Sequence, residues 1–287
     1  MTRHFARLLD AAVSWTGRHT PYFHNKSRWV FWVKPFAPEV VIDCIPSVGQ
    51  RTRIYMELMP RDDVDAYLHY CGIYGPRDVQ TALRYLPVGG VLIDVGAHIG
   101  YYTLLAGTKV GPAGLVYAFE PEPNNFARLS RNLSLNHLPV VQCDRRALDA
   151  VVGERVLYLY GSDNTGRHSF APYQQDYGRR TVRTTTLDEV AASVGRHIDL
   201  VKVDVEGAEA AVCRGGEGLL SSPSAPALLI ELNDERLRAQ GSSSALLASQ
   251  LRHYGYRLFR TSPLNCIALT PHTVRACGLP PRCDELE

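Results

Sequence analysis

The stretch VLIDVGAHIG (91–100) sets a carboxylate, Asp94, inside an apolar run and follows it with Gly96 and Gly100 where a helix begins. Glycines at a strand-to-helix turn let the backbone approach a bound group closely. A dinucleotide fingerprint wants three glycines as GxGxxG, facing a pyrophosphate at the helix N-terminus. Here His98 stands at the middle position and is read, with the two glycines, as lining the ligand-binding turn. Asp94 would repel a pyrophosphate and attract a cation, so the turn suits a positively charged ligand. A second acid, Glu120, ends the next apolar run, 26 residues beyond Asp94. A carboxylate only accepts hydrogen bonds and can take both hydroxyls of a ribose, each charge-assisted bond contributing about 1.5–3 kcal/mol. Helix capping by Asp94 and a solvated turn at Glu120 before Pro121 are the structural alternatives. Two acids at strand ends beside one glycine turn favour a nucleoside site.

A second group follows two later apolar runs: Asp204, Glu206, Gly207 and Glu209, then Glu231 and Asn233. Carboxylates so placed serve a metal, acid–base chemistry, or the capping of the next helix. Glu209 falls in that helix's first turn and is read as a cap, while Asp204 and Glu206 are read as functional. His168, in a polar segment with Asp163, Asn164, Tyr173 and Tyr177, is a third proton-acceptor candidate; its alternative is an exposed loop residue. Lys202 lies two residues before Asp204 and shares its strand face, which predicts an ion pair within the strand. Tyr102 opens the helix after Gly100 and is read as a neighbour of the ligand. Cys143 ends a third run near where a nucleobase would sit, though its alternative is a small core residue. No spacing demands a metal, and none is expected.

The elements that must position these residues are legible as apolar runs. VLIDV (91–95), LVYAFE (115–120), PVVQC (139–143), IDLVKVD (198–204) and ALLIEL (227–232) are apolar on both faces, as parallel strands covered by helices are. NNFARLSRNLSLN and the segment 244–251 read as crossover helices. YRLFR (256–260) and NCIALT (265–270) lie too close for a helical crossover and predict an antiparallel pair at the sheet's end. ERVLYLYG (154–161) and RTVRTTT (180–186) predict an inserted hairpin, 154–186, around the polar segment 162–178. Residues 1–86 read as an extension: a helix, strand-like RWVFWV (28–33), VVIDCI (40–45) and RIYMEL (53–58), then helices near 62–70 and 77–86. The core runs from 87 to 275, with a tail at 276–287.

Composition narrows the function. The 287 residues, 45% of them apolar, suffice for one sizeable core. Lys plus Arg number 31 against 29 Asp plus Glu, which gives no broad field for nucleic acid or anionic lipid. Seven cysteines without a CxxC pair suit reduced thiols, Asp10 interrupts the N-terminal apolar stretch before an export signal can form, and no window is long enough to span a membrane. A cytoplasmic protein acting on a small molecule is expected, with oligomeric state open.

The sequence resembles the FkbM family of S-adenosylmethionine-dependent methyltransferases from about Tyr74 to Thr270. The resemblance is carried by VLIDVGAHIGYYTLLA, VYAFEPEPNNFARLSRNLSLN, TTTLDEV, LVKVDVEGAEAAVCRGG and LLIELN. It implies a Rossmann-like α/β fold of the class I methyltransferases. It further implies that Asp94, Gly96, Gly100 and Glu120 hold S-adenosylmethionine, and the product S-adenosylhomocysteine. The family usually has Asn where His98 stands and His where Asn233 stands. The expected activity is O-methylation of a hydroxyl on a small-molecule or sugar-containing metabolite. N- or carboxylate methylation and non-catalytic cofactor binding are the alternatives.

Overall fold

The structure, a computed structural model, describes residues 2–19, 26–46, 53–161, 163–172, 174–281 and 283–286. Tyr173 lies outside them.

The extension comprises α1 (Thr2–His19), α2 (Lys26–Val33), β1 (Val41–Pro46), β2 (Arg53–Leu58), α3 (Asp63–Cys71) and α4 (Pro76–Arg84), with β1 and β2 paired antiparallel. RWVFWV, expected as a strand, is the helix α2. An uninterrupted apolar run carries no period of its own, and packing decides. Val30, with Trp29 and Val33 a turn apart, joins Ala66 and Tyr70 of α3 in one cluster, while Trp32 faces outward.

The core then alternates β3 (Val91–Val95), α5 (Tyr101–Val110), β4 (Leu115–Phe119), α6 (Pro123–Ser134) and β5 (Val141–Asp144). A small sheet of β6 (Ala147–Leu148), β7 (Gly153–Tyr158) and β8 (Arg179–Thr185) interrupts it in the order β6-β8-β7, and β7 pairs antiparallel with β8, the expected hairpin. The core resumes with α7 (Leu187–Val194), β9 (Leu200–Val203), α8 (Glu209–Arg214), α9 (Glu217–Leu220), β10 (Ala227–Glu231), α10 (Asp234–Ala239) and α11 (Ser244–His253). It closes with β11 (Arg257–Arg260), β12 (Asn265–Leu269), α12 (Pro271–Cys277) and the edge strand β13 (Asp284–Glu285).

Eight strands form the main sheet in the order β13-β11-β12-β10-β9-β3-β4-β5. The run from β10 to β5 is parallel, and β12, β11 and β13 add antiparallel. Every residue of β3 and β9 is buried, as their continuous apolar runs predict. The chain builds outward from β3 through β4 to β5, then returns to place β9 on the other side of β3. Strand order therefore reverses between β3 and β9, and ligands bind outside the carboxyl ends of strands at such a crevice. Asp94 and Lys202 are register partners across that seam.

The extension shares the core rather than standing apart. Ile45, Ile54, Met56 and Leu68 lie in the same cluster as Leu92, Leu104 and Ile267. One buried ion pair fixes the junction: Arg128 of α6 donates to Asp65 Oδ2 of α3, which also accepts from the Met59 N–H at 2.6 Å. Breaking a buried pair by deleting one partner leaves a charge uncompensated. Arg128→Met is therefore expected to lower unfolding free energy by about 3–5 kcal/mol, read from urea titrations; a loss under 1 kcal/mol would remove this pair from the account.

Candidate functional site

Gly96 follows β3 directly, at φ 79°, and an added Cβ would stand 2.0 Å from the Asp204 carbonyl oxygen after β9. Its glycine is required by the close approach of two strand ends, not by a ligand. Gly100 caps α5 at φ 93°, where a Cβ would meet Leu129 Cδ1 at 2.5 Å. It seats α5 on α6.

Between these glycines His98 adopts φ 52°, a left-handed position that Asn and His tolerate better than most residues. Its backbone N–H donates to Glu120 Oε2 at 2.8 Å, and the Glu122 N–H donates to Glu120 Oε1 at 2.9 Å. Those bonds aim a buried carboxylate across the end of β4. Burial pushes the Glu120 carboxyl up to about 7, against the opposing pull of the two N–H donors.

Two hollows open at the strand ends. The narrow one is walled by Phe119, Glu120, Pro121, Leu148, Leu157, His168 and Phe170. The wide one, about 600 Å³, is walled by Tyr74, Asp78, Tyr102, Lys202, Glu231, Asn233, Arg236 and Asn265. Gly96, His98, Gly166, Asp204 and Glu206 line both. Carboxylates thus stand where the hollows meet.

Lys202 is 5% exposed, and its Nζ lies 2.8 Å from the Gly96 carbonyl oxygen, 3.4 Å from Asp94 Oδ1 and 3.6 Å from Asp204 Oδ2. Burial opposes its charge, but Asp94 and Asp204 outweigh that and hold the ammonium above the ordinary lysine range. The expected pair with Asp204 is present, and Asp94 joins it. Asp94 lines neither hollow; its Oδ2 accepts from the Thr103 hydroxyl at 2.7 Å beneath the site.

Glu206 sits at φ 54°, strain of about 1–3 kcal/mol for a residue that is not glycine. Ser169 Oγ and Gln240 Nε2 hold its carbonyl oxygen at 2.7 and 3.1 Å. Burial and then the adjacent Asp204 push its carboxyl up to about 8, partly offset by Arg236, whose Nε is 3.3 Å away. Glu209 is withdrawn from both hollows: its Oε1 accepts from the Val205 and Gly207 N–H groups at 3.0 and 3.2 Å and braces the turn. Asn233 caps α10 through the Arg236 N–H.

A strap, residues 163–170, crosses the junction. Thr165 binds Asp62 of the extension, His98 and, through its carbonyl oxygen, Asn125 Nδ2 at 2.9 Å. His168 belongs to the narrow hollow and accepts the Tyr160 N–H on Nδ1 at 2.9 Å, so its other nitrogen carries the proton. That arrangement makes it a donor rather than the proton acceptor expected from sequence. Nor is it an exposed loop residue. Cys143 lines neither hollow and packs with Ala118 and Leu129, the core reading. Tyr102 lines the wide hollow.

Sequence reasoning did not single out Thr165, Gly166, Asp78 or Phe170, and it grouped Glu231 with the strand-end carboxylates without giving it a role. Glu231 Oε2 is buried without a hydrogen bond, and burial with nearby Asp204 and Glu206 pushes the carboxyl well up. Among the described residues no group of three or more His, Cys, Asp or Glu is arranged to hold a metal ion.

Residues 94–258, more than half of the chain, match the methyltransferase FkbM domain. The chain belongs to the FkbM methyltransferase family. Its fold is the Rossmann-like α/β fold of class I methyltransferases, and the cofactor of this family is S-adenosylmethionine. A "Methyltransferase 1" of Beauveria bassiana is 30% identical over 148 residues, covering 45% of this chain. The "Hexuronic acid methyltransferase AglP" of Haloferax volcanii is 33% identical over 161 residues, covering 52% of this chain. Each match spans 59% of the relative's own length. A solved S-adenosylmethionine-dependent O-methyltransferase from Thermotoga maritima aligns at TM-score 0.42 and 12% identity, over 79% of this chain and 77% of that one.

The raised Glu120 carboxyl gives this FkbM protein a pH signature. The folded chain keeps that proton up to about 7, whereas an ordinary glutamate releases it near 4.5. Between those values the folded state binds more protons than the unfolded one, so stability falls as pH rises through the window, by about 3 kcal/mol at most. Glu120→Gln is expected to make that slope shallower in urea titrations from pH 4.5 to 7, with the raised Glu206 and Glu231 carboxyls still contributing. An unchanged slope would show that Glu120 titrates normally.

Proposed function

We propose that this chain is an S-adenosylmethionine-dependent O-methyltransferase acting on a hydroxyl of a small-molecule or sugar-containing metabolite. The observation that carries the reading is the junction at Gly96, His98, Gly166, Asp204 and Glu206, where a narrow hollow bordered by the buried Glu120 carboxyl opens into a much larger one. The narrow side offers Phe119, Leu148, Leu157 and Phe170 to a flat base, and Glu120 to its ribose hydroxyls. At about 60 Å³ it admits an adenine only when the strap yields. The cofactor supplies a methyl group already activated by its sulfonium.

The wide side receives the acceptor. Asp204, Glu206, Glu231 and Asn233 face it, with Lys202 and Arg236 balancing their charge, a lining suited to the many donors of a sugar. The hexuronic acid acceptor named for the Haloferax volcanii relative supports a sugar-like substrate. Alignment of the reacting atoms supplies up to about 7–11 kcal/mol, more than the roughly 3–5 kcal/mol of a general base. In this reading Asp204 and Glu206 hold the attacking hydroxyl in that alignment. Seven unpaired cysteines support a reduced, cytoplasmic setting.

S-adenosylhomocysteine at 100 times its dissociation constant is expected to stabilise the fold by about 2.7 kcal/mol, seen as a higher melting temperature. Labelled methyl from S-adenosylmethionine should then appear on hydroxyls of a panel of sugars and hexuronic acids, and Glu206→Gln should slow that transfer at least tenfold. Label appearing only on amines or carboxylates would move the assignment to N- or carboxylate methylation. The absence of any thermal shift would defeat it.

A further inference from the structure

Thr165 has one hydroxyl proton, and its neighbours decide where that proton points. Asp62 Oδ2 lies 2.6 Å from the Thr165 backbone nitrogen and 2.9 Å from Thr165 Oγ1, while Asp62 Oδ1 accepts from the Val64 N–H at 3.0 Å. A carboxylate so surrounded is an acceptor, so the Thr165 hydroxyl donates to it. His98 Nε2 lies 2.9 Å from the same Oγ1, and this is a hydrogen bond only if Nε2 carries a proton. Burial, with Arg128, His168 and Lys202 nearby, drives the imidazole well below its ordinary value and keeps it neutral. A neutral ring protonated on Nε2 has a bare Nδ1.

The Nδ1 edge of the ring lies against Gly166. A Cβ built on Gly166 would stand 3.7 Å from both Nδ1 and Cε1 of His98, and both residues line the two hollows. Asp204 and Glu206 line the same place, but Asp204 is charge-paired with Lys202, and Glu206, its carboxyl pushed up to about 8, already holds a proton at neutral pH. We propose that His98 is the proton acceptor of the methyl transfer, its tautomer fixed by the chain Asp62, Thr165, His98. The inference rests on the O-methyltransferase reading and names the atom that the reading leaves open.

In the step, the acceptor oxygen forms a bond to the methyl carbon as the carbon–sulfur bond breaks, and the electrons of that bond stay on sulfur, which becomes a thioether. The hydroxyl proton passes to His98 Nδ1. One positive charge leaves sulfur and one arrives on the imidazole, so the hollow's net charge does not change. The imidazolium keeps its Nε2–H bond to Thr165 and, through it, to Asp62. The proton leaves to water when the products go.

The test uses the full chain loaded with S-adenosylhomocysteine and labelled with nitrogen-15 at histidine. Between pH 6.5 and 8 the His98 signals are expected to show a protonated Nε2 and an unprotonated Nδ1, and Thr165→Val should give a mixture of tautomers. A protonated Nδ1 in the wild type overturns the proposal. With D-glucuronic acid as the acceptor probe, His98→Asn should slow methyl transfer at least 100-fold while S-adenosylhomocysteine affinity stays within threefold. Gly166→Ala, which lays a methyl group against Nδ1, should slow it at least tenfold. A wild-type rate in His98→Asn also overturns it. Wild-type chain that binds S-adenosylhomocysteine but leaves D-glucuronic acid untouched speaks against the sugar-acid acceptor alone, and the nitrogen signals then decide the role of His98.

Discussion

A lysine buried between two parallel strands holds this site together. Taking one ammonium out of water costs several kcal/mol unless partners replace the solvent. Lys202 recovers that cost from three groups on two chain segments: the Asp94 carboxylate, the Gly96 carbonyl oxygen and the Asp204 carboxylate. Asp94 depends on it in turn, because its Oδ1 receives no hydrogen bond and faces only that cation. The seam where strand order reverses is thereby locked at its carboxyl end, with Gly96 against the Asp204 backbone. Glu120 on one side and Glu206 on the other are positioned relative to that seam, so the two hollows meet at one place.

The inserted hairpin and the extension complete what the sheet begins. The strap that follows β7 is tied to the extension by Asp62 and Asp63 and to the core by His98 and Asn125. Lys34 adds a bond to the Asp163 carbonyl oxygen at 3.0 Å. Bonds of this kind to charged groups are worth about 1.5–3 kcal/mol each and those between neutral groups about 1 kcal/mol. A segment so tied can admit a nucleoside and then shield the reacting atoms from water.

Much of this was legible in the sequence, for physical reasons that also mark where legibility ends. The runs 91–95, 115–119, 200–203 and 227–231 are strands because parallel strands covered on both faces must be apolar throughout. The same logic misreads 28–33, where an apolar run packs as the helix α2. Asp94 was recognisable as an acid at a strand end. Its direction was not, because the partner that claims it, Lys202, lies one strand over and 108 residues later. Thr165 carried no signal, since its meaning comes from partners 103 and 67 residues away. His168 was visible as a titratable loop residue, yet the Tyr160 N–H that fixes its tautomer is a product of the folded turn.

The seam can serve methyl transfer only if the nucleoside lies on its Glu120 side and the reacting atom at the junction beyond. In a crystal structure of the complex with S-adenosylhomocysteine, both ribose hydroxyls should rest on the Glu120 carboxylate, the base against Leu148 and Phe170, and sulfur between Gly96, His98 and Asp204. A ribose bound away from Glu120, or a sulfur atom turned out of that junction, would contradict it.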